Sequence, residues 1–168
     1  MPYYSSKPPF RPRKPVRSFR DLEVYQRALE MAVVVAKEIY PHLATAGTGR
    51  AAKSGVGTGA YPFLSEMLTT SLDIPRLIAE AHSVRFESQL QGIALLEKAM
   101  GACNKMVVYI EQVRDIYPEQ VKSPLCEDLI KKYVVNRTRI FHLQKTWQRW
   151  AADAAIRKIM PSPPSPPR

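Results

Sequence analysis

Residues 125–156, LCEDLIKKYVVNRTRIFHLQKTWQRWAADAAI, decide the fold. Leu129, Tyr133, Ile140, Leu143, Trp147, Trp150 and Ala154 recur at alternating steps of four and three once Asn136 fills its gap. That spacing is a heptad seam, the pattern of a helix packed lengthwise against other helices. Both tryptophans of the chain stand on it. Between Leu129 and Ala152 there are six basic side chains, Lys131, Lys132, Arg137, Arg139, Lys145 and Arg149, and no acidic one. One predicted helix therefore carries an apolar seam and a cationic flank. Asn136 within the seam is of the type that sets register or oligomer state.

Outward from this helix, charge is unevenly shared. The chain has a formal net charge of +10. Residues 1–20 carry six basic and no acidic side chains, whereas residues 21–124 carry ten basic and twelve acidic. The positive field thus comes from the two ends and the last helix, and it suits nucleic acid, an acidic protein or an anionic surface. At 168 residues and 45% hydrophobic the chain is one domain with material for a bundle core. No apolar run approaches the ~18 residues of a membrane span. The N-terminus lacks the apolar core of a secretory leader, and Cys103 and Cys126 are too few for a disulfide framework. A cytoplasmic protein with two free thiols, each a small core residue, is expected.

Four helices are predicted, over about 19–40, 62–85, 87–117 and 125–158, in an antiparallel up-down bundle spanning 18–160. Ser18 and Asp21 form a helix start, and Pro41 is expected to end the first helix. Its seam reads Leu22, Tyr25, Leu29, Ala32, Ala36 and Ile39, widened by Val33, Val34 and Val35. Pro62 opens the second helix, and Pro75 should kink or split it. On this helix His82 falls at the apolar stripe. The third helix presents Leu90, Ile93, Leu96, Met100, Cys103, Val107 and Ile110, with Gly92 and Gly101 expected to let another helix approach closely. Ten of the fifteen prolines lie in a basic arm, 1–17, and a tail, 161–168, so both read as disordered. Arg11, Arg13, Lys14 and Arg17, with Tyr3, Tyr4 and Phe10 between or before them, give the arm a nucleic-acid character. The same arm also serves as a solubilising tail or a Pro-x-x-Pro ligand in competing readings.

Catalytic chemistry finds no footing. Residues 44–60 hold five of the seven glycines and read as a flexible loop carrying Arg50 and Lys53. Gly47–Ser54 comes within one residue of a phosphate-binding loop, with Ala52 where glycine is required and a helix where a strand should precede. His42, His82 and His142 lie on different elements, with no Glu-x-x-His or Cys-x-x-Cys spacing. No cofactor, metal or enzymatic activity is expected. Nucleic-acid contact is, through Arg11, Arg13, Lys14, Arg17, Lys131, Lys132, Arg137, Arg139, Lys145 and Arg149.

Two stretches carry a resemblance. Ser18-Phe19-Arg20-Asp21-Leu22-Glu23-Val24-Tyr25-Gln26-Arg27-Ala28 is similar to the opening helix of the bacterial four-helix-bundle proteins encoded in ribosomal-RNA intervening sequences. Leu72-Asp73-Ile74-Pro75-Arg76-Leu77-Ile78-Ala79-Glu80 resembles their second helix, with Ala81 where the family has glycine. Phe86, Ala94, Leu95 and Glu97 fit the third. The same bundle family includes the accessory variability determinant of diversity-generating retroelements, which is also strongly basic with a basic final helix. The resemblance implies a homopentamer that binds RNA, or DNA or an RNA/DNA hybrid, and a reverse transcriptase, and supports copying of template RNA. The intervening-sequence branch implies instead an oligomeric scaffold, whose tails here would recruit protein partners.

Overall fold

The computed structural model describes residues 16–49 and 61–159; of residues 45–49, 154 and 157–159 only the backbone is described. The basic arm up to residue 15, the loop from 50 to 60 and the proline-rich tail lie outside them. Every regular element among the described residues is helical. These elements are α1 (Glu23–Val34), a π-helical turn (Val35–Ile39), α2 (Tyr40–Gly49), α3 (Pro62–Val84), α4 (Gln89–Ile116) and α5 (Ser123–Ile159). The first two α segments and the π turn run on without a break, so four rods pack together. The first rod touches α3 and α5, and α4 touches the same two, which puts α4 diagonally across from α1.

Local chemistry explains the boundaries. Ser18 Oγ accepts from the Arg20 N–H, while the Asp21 carboxylate accepts from the backbone N–H of Ser18 and Arg17, both at 2.9 Å. This reciprocal cap closes a short 3-10 turn, Phe19–Asp21, ahead of α1. Pro41 does not end the first helix. The Tyr40 N–H bonds back to the Val35 carbonyl, five residues earlier, so the helix widens one residue before the proline and continues to Gly49. Residues 44–49, expected in a loop, are therefore helical. The Ser88 hydroxyl caps α4, accepting from the Gln91 N–H, and α4 stops at Ile116, just ahead of Tyr117 and Pro118. Pro75 is buried inside α3, which is not split there.

The core runs the length of the bundle: Val35, Ile39, Leu43, Met67, Ile74, Ile78, Leu96, Met106, Ile110, Leu129, Tyr133 and Ile140 are essentially solvent-free. Each large apolar side chain so buried stabilises the fold by about 1.5–3 kcal/mol relative to exposure. Both cysteines are free and buried here, and burial pushes the Cys103 thiol up to about 12. The first rod faces the core with Val24, Ala28, Met31, Val35, Ile39 and Leu43, while Leu29 and Val33 point outward. The expected seam holds at the buried Leu22, Ala32 and Ile39 and fails at Leu29. The wider π turn keeps side chains spaced by four on one face, which an unbroken 3.6-residue period does not. Leu90, at the first turn of α4, is exposed as well. Gly92 is buried where α3 crosses: a Cβ there would meet the Ala81 carbonyl at 3.1 Å and Arg85 Cβ at 3.2 Å. Gly101 has nothing within 4 Å, so it admits no neighbour.

Side-chain pairs mark which levels of the rods meet. Arg114 reaches Glu127 at 3.2 Å beside the α4–α5 turn. Gln144 donates to Glu97 at 3.0 Å, and the Gln89 amide donates to the Trp147 carbonyl. Asn136 is fully buried and donates to the Val24 carbonyl at 3.2 Å, tying α5 to the first turn of α1.

Candidate nucleic-acid interface

The outer face of α5 follows from its period. Residues 131, 138, 142, 145 and 149 return to one side of a 3.6-residue helix, opposite Leu129, Tyr133, Asn136, Ile140 and Trp147. Lys131, Lys145 and Arg149 are exposed there, about 27 Å apart from first to last at 1.5 Å per residue. The Lys145 ammonium lies 5.3 Å from the Phe141 ring centroid, a contact that leaves its charge toward solvent. Arg137 is exposed on the flank nearer α4, and its charge acts on the Cys103 thiol. Among the described residues, none of these four cations forms an ion pair.

The other two basic side chains of α5 are engaged. Lys132 pairs with Asp128 at 2.7 Å, and Arg139 pairs with Glu23 on α1. Glu23 also holds Arg27 at 2.9 Å, and the hydrogen bond from Arg27, then that from Arg139, keeps its carboxyl below the ordinary value. The six-residue run read from the sequence therefore divides into four free cations and two bound within the fold. Arg17 is exposed; Arg11, Arg13 and Lys14 lie outside the described residues.

A second feature was invisible as a pattern. Trp147 is 2% exposed but Trp150, the next seam position, is 59% exposed. The seam stops because its partner stops: Gln89, the first residue of α4, sits beside Trp147, and about three further turns of α5 extend past it. At this end Trp150 joins Phe86, 77% exposed, in the walls of a groove of about 180 Å³ completed by Arg85, Gln89, Trp147 and Ala151. The Arg85 guanidinium lies 4.5 Å from the Phe86 ring centroid and 4.9 Å from that of Trp147. Among the described residues it has no carboxylate partner. Its Nε, Trp147 Nε1 and His82 Nε2 are buried without a hydrogen-bond partner. His82 stacks edge-on to Phe86, and burial lowers its pKa.

No group of three or more His, Cys, Asp or Glu side chains among the described residues is placed to hold a metal ion, and no described helix is long and apolar enough to cross a membrane. No protein-family model matches the chain, and neither does any curated protein or solved structure.

Proposed function

We propose that this chain is a non-enzymatic, nucleic-acid-binding accessory protein of a diversity-generating retroelement, assisting a reverse transcriptase in copying template RNA. It acts in the cytoplasm as a homopentamer of antiparallel up-down bundles, with α3 kinked at Pro75. The pairings of Gln89 with Trp147, Gln144 with Glu97 and Arg114 with Glu127 support opposite directions for α4 and α5. The resemblance of residues 18–28 and 72–80 to that bundle family supports the retroelement assignment. The observation that carries nucleic-acid binding is the set of unpaired cations on α5: among the described residues Lys131, Arg137, Lys145 and Arg149 have no carboxylate partner, whereas Lys132 and Arg139 do. Unpaired surface cations bind phosphates by releasing counterions, so affinity should fall steeply with salt.

Filter binding of the full chain to structured RNA across a salt series tests this. Replacing Lys131, Arg137, Lys145 and Arg149 together with glutamine should cost at least ~10-fold in affinity and flatten the salt slope by up to ~3, while the helical circular-dichroism signal stays. Absence of binding at low salt, or an affinity indifferent to salt, would sink the reading.

The outward Leu29 and Val33 on the first rod favour a second reading, an oligomeric scaffold of the intervening-sequence type. Removing residues 1–17 and 161–168 separates the two. Protein partners lost with RNA affinity intact would point to the scaffold.

A further inference from the structure

We propose that the groove between Phe86 and Trp150, with Arg85 in its wall, is a stacking site for unpaired bases of single-stranded RNA; this rests on the nucleic-acid reading and specifies the form of the ligand.

The groove combines two properties. Two of its rings, Phe86 and Trp150, present large faces to solvent, and every nucleobase has a face to set against them. Arg85 is a cation held between Phe86 and Trp147, with no carboxylate among the described residues to neutralise it, although Glu87 and Asp153 are exposed on the same elements. Apolar peptide side chains would cover the rings but leave the Arg85 charge without a counterpart. A nucleotide supplies the flat ring and the anionic charge together. At about 180 Å³ the groove falls below the ~300–1,000 Å³ of a self-contained small-molecule pocket, which fits one ring system of a longer strand rather than a free cofactor.

Its position continues the cationic surface. Arg149 precedes Trp150 and Lys145 lies one turn earlier, so a strand leaving the groove runs onto the free cations of α5. The Phe19–Asp21 turn also packs against α3, and the Asp21 charge acts on His82, so Arg17 enters the fold near this same end. A duplex has its bases stacked internally and cannot offer them to Trp150. The groove therefore selects single strands, whereas the outer face of α5 accepts any phosphate backbone.

Tryptophan fluorescence reads the site directly, because Trp147 and Trp150 are the only indoles. The full chain is titrated with an unstructured RNA of about 12 nucleotides, a duplex of equal length and a glutamate-rich peptide. The single strand should quench the emission and bind more tightly than the duplex. Trp150→Ala should weaken single-strand binding about tenfold with little effect on the duplex, and Trp150→Phe should restore most of it. Arg85→Gln should weaken it as well. Trp150 is exposed, so its replacement leaves the fold intact, which a urea melt verifies. If Trp150→Ala and Phe86→Ala bind the single strand like the parent while the α5 glutamine variant does not, the stacking site is overturned and the cationic reading stands. If the parent binds no RNA at low salt, both fall. Preferential quenching by the acidic peptide would assign the groove to a protein partner and overturn the proposal.

Discussion

The two ends of the bundle are built from the same residue types and come out differently. Beside the α4–α5 turn, Tyr61 meets Tyr117 and Phe63 with ring centroids 6.1 Å apart, and Phe63 stacks on Tyr109 at 6.2 Å. The Tyr109 hydroxyl donates to Glu66 at 3.1 Å, and Arg114 is held by Asp115 and Glu127. Rings there have rings, and the arginine has carboxylates. At the opposite end Arg85 pairs with neither Asp nor Glu among the described residues, and Phe86 and Trp150 are exposed. Rod length makes the difference. α4 has 28 residues and α5 has 37, about 42 and 55 Å at 1.5 Å per residue. They start level at the short turn joining them, so the surplus of α5 emerges at the far end beyond the first residue of α4. An aromatic at a seam position is core only while a partner helix lies beside it.

The largest effect that would sharpen this contrast is in stability. Trp147→Ala is expected to lower the unfolding free energy by about 3–5 kcal/mol, because it empties a filled core site. Trp150→Ala, three residues on, should change it by less than about 0.5 kcal/mol. Urea melts compare them directly, and equal losses would mean that the overhang is packed after all. A smaller effect separates the two glycines of α4. Gly101→Ala should gain up to ~1 kcal/mol of helix propensity, since the added methyl meets nothing. Gly92→Ala should lose about 1 kcal/mol net, because crowding against the α3 backbone outweighs that gain. A Gly92→Ala protein as stable as Gly101→Ala would show that α3 yields at the open end.

The smallest effect concerns pH. Burial first, then the nearby Arg85 charge, holds the His82 imidazole below its ordinary value near 6.5, with Asp21 opposing. The unfolded chain therefore takes up this proton before the folded one does. The contribution to stability is complete above about pH 6.5 and is lost as pH falls through the lowered folded value. Urea melts at pH 5 and 7.5 should show this loss in the parent and a smaller one in His82→Gln. Identical pH dependence in both would place His82 in contact with water.

Much of the architecture was legible because helix periodicity is a local property. Pro62 at a helix start, the stops ahead of Pro118, and the heptad from Leu129 to Trp147 depend only on residues within a few turns of each other. The end of the first rod was misread for a local reason of a different kind: Pro41 stops an ordinary helix, but the π turn Val35–Ile39 just ahead of it shifts the bonding and lets the helix run on to Gly49. Gln144 was missed because the seam was read at steps of three and four, and its burial depends on Glu97 and the Ile93 carbonyl across the interface. The cationic run of α5 was visible as six residues, yet its division into four free and two paired depended on α1 for Arg139.

By itself, then, the sequence determined an all-helical chain with a seam on its last helix and a positive charge at its ends, since hydrophobic period, proline position and formal charge need no partner to be counted. Only the tertiary structure decided where the seam of 125–156 ends, which of its cations stay free, and that Arg85 lies between Phe86 and Trp147. Those outcomes depend on the relative lengths of rods far apart in the chain and on which carboxylates packing brings within reach.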